Sequence, residues 1–533
     1  MPRLLLFVLV WASSCRTLPV TPSAMLDELG TAPTGVLSGT PLALGPSVVL
    51  NAEDFVYDAR FSSDAKSFAF SRLGLKGYAL SVFDLTVTPP VRRADALVNT
   101  YEFDVEMIEF TPDGTLVATV SRDGSVRLFD AVTGAARAAW LTDEPLVSVA
   151  IHPSGRSLVV GSAAGLLTVL SLPDLVHVSE TRGHSAEVRG LAFAADGRLY
   201  SGGWDKRIAT WSLTESNEPA WSVRAHVERV NGLLVFRSVV AGRASARTTI
   251  DARLPMTVIQ GALAQAAGID VPALTETTTI ATAFGNQLVK VARGQRLSVK
   301  GLTFENVEVA ICDACVPPGT HAVLGASLLA RFDFATDDTT HEVVLTMKPA
   351  GPPAQPEEVR SQRVVALTSA GPAFVFEAFV NDLTLDAVGS TLGVAFSGTK
   401  AERNREVYER EKRGEPAPAD GWNCGAFVDA ATGTVLEKHP GNAVVATAGI
   451  SPDGRSMLFG AWDKVVALVA RGQPARVDSK AFGWAVRRTR FSRDGRWVAI
   501  ASWTPQNPLG NHQSDPSAVI AEVLYGDDVR VRR

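Results

Sequence analysis

The chain has 533 residues, more than a single compact domain usually holds, so several domains are expected. Hydrophobic residues make up 46% and charged residues 20%, a balance typical of packed globular protein rather than extended disorder. The net charge is -5 at pH 7 and no basic stripe occurs, which argues against a nucleic-acid partner. The arginines within 530–533 are too few to change that conclusion.

The N-terminus has the pattern of an export signal. Arg3 gives a positive start, and Leu4 to Trp11 form an apolar run too short to span a bilayer. The following residues, Ala12 to Cys15, resemble a bacterial lipoprotein cleavage box, with Ala12 where the family usually has Leu. The resemblance implies a signal peptide over 1–15 and a lipid on Cys15, and an ordinary signal peptide cut nearby is the alternative.

Residues 16–46 are rich in Thr, Pro, Gly and Ser, which predicts a flexible tether after the signal. The predicted location is therefore the bacterial cell envelope, either as a membrane-anchored lipoprotein or as a periplasmic or secreted protein. The lipid is the only membrane contact expected.

A strand-turn-strand pattern recurs on both sides of a central interruption. Turn glycines Gly114, Gly155 and Gly197 lie about 41 residues apart, as do Gly454 and Gly495. A period near 40 with alternating apolar strands is the signature of propeller blades. The sequence predicts an all-β chain with propeller segments at 47–232 and 363–533. Seven blades can be counted, and the interruption leaves room for an eighth.

One blade, Gly183 to Leu213, carries four polar residues whose spacing indicates a hydrogen-bonded network. Asp205 is a carboxylate in a buried setting and must be paired. An imidazole, a hydroxyl and an indole N–H could each donate to it. Here the stretch resembles a WD-repeat blade, and the family's structural polar network maps onto His184, Ser201, Asp205 and Trp211.

The other blades lack that full set. Asp123 and Asp463 take the place of Asp205, but Phe129 and Val469 stand where Trp211 does. In the fifth blade, the charged stretch 399–420 is predicted to be a solvated excursion between strands, with a partner-binding finger as the alternative.

The interruption, predicted over 233–348 and followed by a Pro-rich linker at 349–362, has a different order of motifs. They are Ile250-Asp251, Phe284-Gly285-Asn286 and Val323-Leu324-Gly325, the last followed by a helix predicted at Ser327 to Phe332. Their order resembles a retropepsin-like aspartic protease domain. The resemblance implies a small β-barrel with Asp251 as catalytic aspartate, a flap tip at Phe284, Gly285 and Asn286, and a structural turn at Val323, Leu324 and Gly325.

The chain departs from this family at its catalytic loop, which reads Asp251-Ala252-Arg253-Leu254 instead of Asp-Thr-Gly-Ala. Aspartic proteolysis needs two carboxylates that share one proton. A guanidinium beside Asp251 favours the ionised carboxylate and opposes that sharing. One domain also supplies only one aspartate, so catalysis requires a homodimer.

Two functions follow. The first is a protein- or peptide-binding scaffold whose protease-like domain is inactive. The alternative is an active aspartic endopeptidase that works as a homodimer through Asp251. No motif supports an enzyme site in the propeller channel, and no cofactor motif occurs.

The remaining cysteine pattern is Cys312 and Cys315, which in an exported protein could close a small disulfide loop or remain free thiols. One such pair is a poor zinc site because four ligands are needed, so no metal is expected.

Overall fold

The computed structural model describes residues 41–525. The gaps within that range are 52–55, 75–76, 88, 100–103, 143, 217–221, 283–284, 300–301, 338–341, 349–363, 399–422, 442, 463–464, 474–475, 480–484 and 504–516. Several predicted features lie outside the described residues: the signal peptide with Cys15, the tether up to residue 40, Phe284, the linker 349–362, the loop 399–420 and Asp463. The chain divides into two compact units. Unit 1 is Met1–Leu97 with Glu377–Arg533, and unit 2 is Val98–Phe376.

Unit 1 starts with strand β1 and a four-stranded antiparallel sheet, β2 to β5. The bounds are β1 (Pro41–Asn51), β2 (Val56–Phe61), β3 (Ser67–Gly74), β4 (Gly77–Asp84) and β5 (Val91–Asn99). Because β1 begins at Pro41, the predicted tether is too long at its C-terminal end. Its last residues belong to a strand.

Unit 2 begins with three sheets of the same design. They are β6 (Val105–Phe110), β7 (Leu116–Ser121), β8 (Ser125–Asp130), β9 (Ala136–Leu141); β10 (Leu146–Ile151), β11 (Ser157–Ser162), β12 (Leu166–Ser171), β13 (His177–Arg182); and β14 (Val188–Phe193), β15 (Leu199–Gly203), β16 (Arg207–Ser216). The third sheet lacks its fourth strand at this point in the chain.

The inserted domain follows. Its elements are β17 (Ser222–His226), β18 (Glu228–Val230), β19 (Leu233–Val240), β20 (Ala244–Ile250), β21 (Thr257–Ile259), α1 (Gly261–Ala266), β22 (Thr277–Thr282), β23 (Gly285–Val299), β24 (Leu302–Ile311), a 3₁₀ turn (Asp313–Cys315), β25 (Ala322–Leu324), α2 (Ala326–Leu329), β26 (Phe332–Asp337) and β27 (Glu342–Met347). Strands β17 and β18 pair with β27 and β19, so the domain starts before the predicted residue 233. Helix α2 is shorter than predicted, because the chain is already extended as β26 at Phe332. Helix α1 was not predicted from the sequence.

The chain then returns to the interrupted sheet and continues through unit 1. The remaining strands are β28 (Val364–Ser369), β29 (Phe374–Val375), β30 (Phe379–Leu385), β31 (Thr391–Ser397), β32 (Cys424–Asp429), β33 (Val435–Pro440), β34 (Val445–Ile450), β35 (Ser456–Ala461), β36 (Val466–Ala470), β37 (Arg476–Ser479), β38 (Ala485–Phe491), β39 (Trp497–Trp503) and β40 (Ser517–Tyr525). Strand β28 pairs with β16 and completes the sheet, with Ser216 opposite Val364.

A repeated turn explains why each sheet starts in the same way. Between β6 and β7, the Thr111 hydroxyl donates to Asp113 and accepts the Leu116 N–H at 3.0 Å, while Gly114 takes a positive φ of 71°. Between β34 and β35, Ser451, Asp453 and Gly454 are arranged in the same way. Because glycine adopts positive φ at little steric cost, the Asp-Gly pairs seen in the sequence mark these turns.

The apolar faces of successive sheets form the cores. In unit 2, β10 contacts both β6 and β14, and in unit 1, β38 contacts both β34 and β2. Six sheets of this design stand alone, and β6 to β9 are continuous with the inserted domain through β9 and β20. The described residues thus hold seven four-stranded sets, and no eighth occurs among them. The predicted all-β, propeller-type fold with an inserted β-domain is confirmed.

Strand β1 closes the last sheet of unit 1, because it pairs with β40 from Pro41 opposite Tyr525 to Asn51 opposite Ser517. A chain beginning at residue 52 leaves the β40 edge open. We expect it to lose at least about 2 kcal/mol, a fall in Tm of roughly 4–8 °C for a unit of this size, and to aggregate. A chain beginning at residue 41 is the control and should melt like the full-length protein. Calorimetry and light scattering measure both effects, and equal melting of the two truncations would contradict the role of β1.

Candidate functional site

The aspartate loop sits on three short strands. Strand β25 runs parallel to β20, with Ile250 opposite Leu324, and antiparallel to β21 on its other side. The Asp251 N–H donates to the Leu324 carbonyl at 3.1 Å. The end of β20 is therefore fixed against β25, and Asp251 emerges where the parallel pair stops. Val323 and Leu324 are buried in this arrangement.

Gly325 is required at this place by close backbone approach. A Cβ on Gly325 would lie 2.1 Å from the Met256 carbonyl oxygen and 2.9 Å from that of Leu254. The next residue, Ala326, donates its N–H to the Leu254 carbonyl at 2.8 Å and starts α2. The three residues predicted to form a structural turn thus lie directly behind the aspartate loop.

The carboxylate of Asp251 is held by Arg253, two residues along the chain. The guanidinium donates from Nε to Oδ1 at 2.9 Å and from Nη2 to Oδ2 at 2.8 Å, and the Arg253 backbone N–H donates to Oδ1 at 3.0 Å. The Arg253 side chain is 89% exposed and that of Asp251 is 27% exposed. Both carboxylate oxygens are therefore engaged by one exposed cation.

This pairing sets the charge of the site. The hydrogen bonds from Arg253 hold the pKa of Asp251 below its ordinary value of 3.8, although partial burial acts in the opposite direction. A bidentate pair of this kind stabilises the ionised carboxylate and fixes its orientation. The ion pair is suited to binding a charged group of a ligand, and it opposes the protonation of the Asp251 carboxylate.

The predicted flap is a hairpin of β22 and β23, with Thr282 opposite Gly285 and Ala281 opposite Asn286. Gly285 and Asn286 are exposed near its end, and Gly285 has a φ of +102°. Phe284 lies outside the described residues. Leu288 is 74% exposed on the same hairpin, which leaves an apolar side chain in solvent.

Cys312 and Cys315 are joined by a disulfide at the end of β24. Between them, Asp313 accepts a hydrogen bond at 2.8 Å from the N–H of Gly261, the first residue of α1. The disulfide loop is thus hydrogen-bonded to the start of α1, the helix that follows β21.

The four polar residues predicted to stabilise a blade are brought together. The Trp211 indole N–H donates to Ser201 Oγ at 2.8 Å, Ser201 Oγ lies 2.7 Å from His184 Nε2, and His184 Nδ1 lies 2.9 Å from Asp205. The residues form a relay. Only His184 among the three expected donors contacts Asp205, whose other partners are the backbone N–H groups of Ser185 and Arg207.

The relay also sets the charge of Asp205. Burial acts to raise the pKa of this carboxyl, but the hydrogen bonds from His184 and from the two backbone N–H groups hold it below its ordinary value. Ser201 is completely buried and His184 nearly so, which marks the set as part of the blade interior. Asp123, in the corresponding turn of β7 and β8, instead binds Ser125 and Arg127.

A charged cluster in unit 2 was missed by the sequence analysis. Arg122 donates to Glu106 at 2.6 Å and to Glu187 at 2.8 Å, and Arg189 donates to Glu187 at 2.7 Å. These residues come from the β6–β9 and β14–β16 sheets, and only the fold brings them together. No spacing in the sequence signals the cluster.

Comparison with known proteins supports both parts of the chain. Residues 239–329 match the family described as aspartyl protease, and residues 97–130 and 175–212 match the WD domain, G-beta repeat. The chain thus contains WD repeats and an aspartyl protease-type domain.

Among the described residues, no helix combines the length and apolar character needed to cross a membrane.

Several curated proteins are similar over part of the chain. The guanine nucleotide-binding protein subunit beta of Solanum tuberosum is 30% identical over 216 residues, which cover 38% of this chain and 56% of that protein. The subunit beta of Nicotiana plumbaginifolia is 30% identical over 214 residues with the same coverage. Telomerase protein component 1 of Rattus norvegicus is 28% identical over 121 residues, covering 22% of this chain and 5% of that protein. The chain thus spans about half the length of the subunit beta relatives.

We expect Asp205→Ala to lower the free energy of unfolding by about 2–4 kcal/mol, because it leaves the buried His184 Nδ1 without its partner and removes the acceptor of two backbone N–H groups. Asp196→Ala, in the same blade, is the control and should cost less than about 1 kcal/mol, since the Asp196 side chain is 53% exposed and pairs with the exposed Arg198. Urea denaturation measures both values, and equal losses would refute the relay.

Since the pKa of Asp205 is lowered by folding, the contribution of this carboxylate to stability is present above pH 3.8 and is lost as the pH falls further. The difference between wild type and Asp205→Ala should therefore shrink in acid.

Proposed function

We propose that the protein is an exported, protein-binding propeller scaffold whose inserted domain keeps an aspartic-protease fold without the protease reaction. The WD repeats and the similarity to guanine nucleotide-binding subunits beta support a role in binding protein partners. A rigid array of blades with surface loops is suited to that role, although a fold alone does not fix a function.

The observation that carries the inactive assignment is the fork between Arg253 and Asp251. General acid–base proteolysis by paired aspartates needs a carboxylate that can exchange a proton with its partner and with a water molecule. Here both oxygens accept hydrogen bonds from a permanent cation, at 2.9 Å and 2.8 Å. A water placed by Asp251 would share the carboxylate with that guanidinium, and protonation of the carboxyl would cost the pair its attraction.

Strand pairing within the domain limits the ways in which a homodimer could form. A homodimer is needed to supply a second aspartate, and strand edges are the usual means of joining two β-domains. Strand β27 has β17 on one edge and β26 on the other, so both its edges are used within one chain. A strand-edge dimer through this sheet would therefore have to use β17 or β26, which are its outer strands.

The alternative, an active endopeptidase that works as a homodimer, is favoured by a specific set of retained features. Asp251 is present, its strand pairs with β25 as far as Leu324, and Gly325 allows the close approach behind the loop. The aspartyl protease family match covers this whole region. These features preserve the position of the aspartate, while Arg253 changes its chemistry.

The test is incubation of the purified protein with a diverse peptide library from acidic to neutral pH. We expect no cleavage. Cleavage that is abolished by Asp251→Asn and by a statine-type inhibitor would establish the alternative. Cleavage that survives Asp251→Asn would identify a contaminant and leave the inactive assignment in place.

A spectroscopic control separates chemistry from folding. In an NMR titration, Arg253→Met should raise the pKa of Asp251 towards its ordinary value, because the main cause of its lowering is removed. Arg293→Met is the matched control: Arg293 pairs with Glu276 and Glu308 elsewhere on the same domain. The Arg293→Met substitution should leave the pKa of Asp251 unchanged.

We further propose that the scaffold acts at the cell envelope, held by a lipid on Cys15. The support is the signal pattern of residues 1–15. Membranes from cells expressing tagged protein should contain the wild type, and Cys15→Ala should release it or block its processing. Recovery of the wild type from the soluble periplasm or the medium would contradict the anchor.

Partners can be captured from the same detergent extract. A variant in which residues 217–363 are replaced by Asn-Gly is the matched control, since Ser216 and Val364 are directly paired and a two-residue turn can join them. Partners retained by both proteins bind the blades, and partners lost with the replacement bind the inserted domain. The absence of any specific partner in both would contradict the scaffold.

A further inference from the structure

We infer that the inserted domain is a structural strap: it is attached at β16 and β28, and a distant turn also fastens it to the two preceding sheets of unit 2. This goes beyond the proposed function and does not depend on it. The strap would act whether or not the domain cleaves peptides and whatever the scaffold binds.

The fastening element is the turn between β19 and β20. Ala241 and Gly242 have positive φ values of 53° and 69°, and the Arg243 N–H donates to the Val240 carbonyl at 3.1 Å. Two central residues with positive φ and a bond across the ends define a tight hairpin turn of the type that matches strand twist. Its carbonyl groups are left to bind partners outside the hairpin.

Two sheets supply those partners. The N–H of Leu141, at the end of β9, donates to the Arg243 carbonyl at 3.0 Å. The N–H of His177, at the start of β13, donates to the Gly242 carbonyl at 3.1 Å. Leu141 and His177 belong to the outermost strands of successive sheets. One turn of the inserted domain therefore binds the backbones of both.

Side chains reinforce the attachment. Arg237 on β19 donates to Thr142 at 3.1 Å and also binds Glu144, and both partners lie between β9 and β10. Beneath the turn, the indole of Trp140 is fully buried and stacks on the His177 ring with centroids 6.2 Å apart. The contact combines backbone hydrogen bonds, a charge-assisted hydrogen bond and buried aromatic packing. Together these interactions resist separation better than any one of them.

The fit at Gly242 is close. A Cβ there would lie 3.3 Å from Val176 Cγ1, in the segment that leads into β13. Gly294, in the same domain, has almost the same φ of 67° but no atom within 4 Å of an added Cβ. Substituting alanine at either position carries a similar backbone cost, and only the change at Gly242 also disturbs the attachment.

The test is hydrogen exchange of the full-length protein, followed at the amides of Leu141 and His177. We expect Gly242→Ala to speed exchange at both amides by about fivefold or more, while Gly294→Ala leaves them at the wild-type rate. Arg237→Met and its control Arg293→Met form a second pair, with the same expected contrast.

Two results would overturn the strap. One is unchanged exchange at Leu141 and His177 in both Gly242→Ala and Arg237→Met. The other is an equal acceleration in the control variants, which would mean that general loosening of the domain, and not the attachment, controls these amides. Cleavage and capture experiments have no bearing on either result, so the strap and the proposed function fail independently.

Discussion

The antiparallel pairing of β16 with β28 is the interaction on which unit 2 depends. A propeller-type sheet needs a fourth strand, and the chain supplies it only after the whole inserted domain has been made. Because Ser216 and Val364 stand opposite each other, the domain leaves and re-enters the sheet at one point. The sheet is therefore complete despite the interruption. The domain's first and last strands, β17 and β27, are likewise paired with each other.

The aspartate loop shows how a fold and a reaction can be separated. The features that position the loop are backbone pairing and the absence of a side chain at Gly325, and both are kept. The feature that opposes the reaction is a single side chain two residues from Asp251. The position of the aspartate and its ability to exchange a proton therefore depend on different residues. A family match shows that the position is kept, and it does not show that the proton chemistry is kept.

Much of this architecture could be predicted from the sequence because its signals are local. Glycine turns such as Gly114 and alternating apolar strands revealed the repeat, and the spacing of His184, Ser201, Asp205 and Trp211 brought out the relay residues. The order of contacts within the relay was wrong in one respect, because Ser201 and Trp211 bind each other and not Asp205. The pairing of Arg253 with Asp251 was anticipated for the same reason, since two residues separate them. Arg237 and Glu144 could not be matched in this way, because their contact exists only once β20 has paired with β9.

The closure of the unit 1 sheet by β1 and β40 has a consequence for synthesis. During synthesis β1 is made long before its partner β40, because the inserted domain and the other described strands lie between them in the chain. The fourth strand of the interrupted sheet also arrives late, after the inserted domain. Long-range pairings of this kind are slow and leave strand edges open in the meantime. The nascent chain therefore passes through a period in which β1 lacks β40 and β16 lacks β28, and it is in that interval that chaperone protection would matter most.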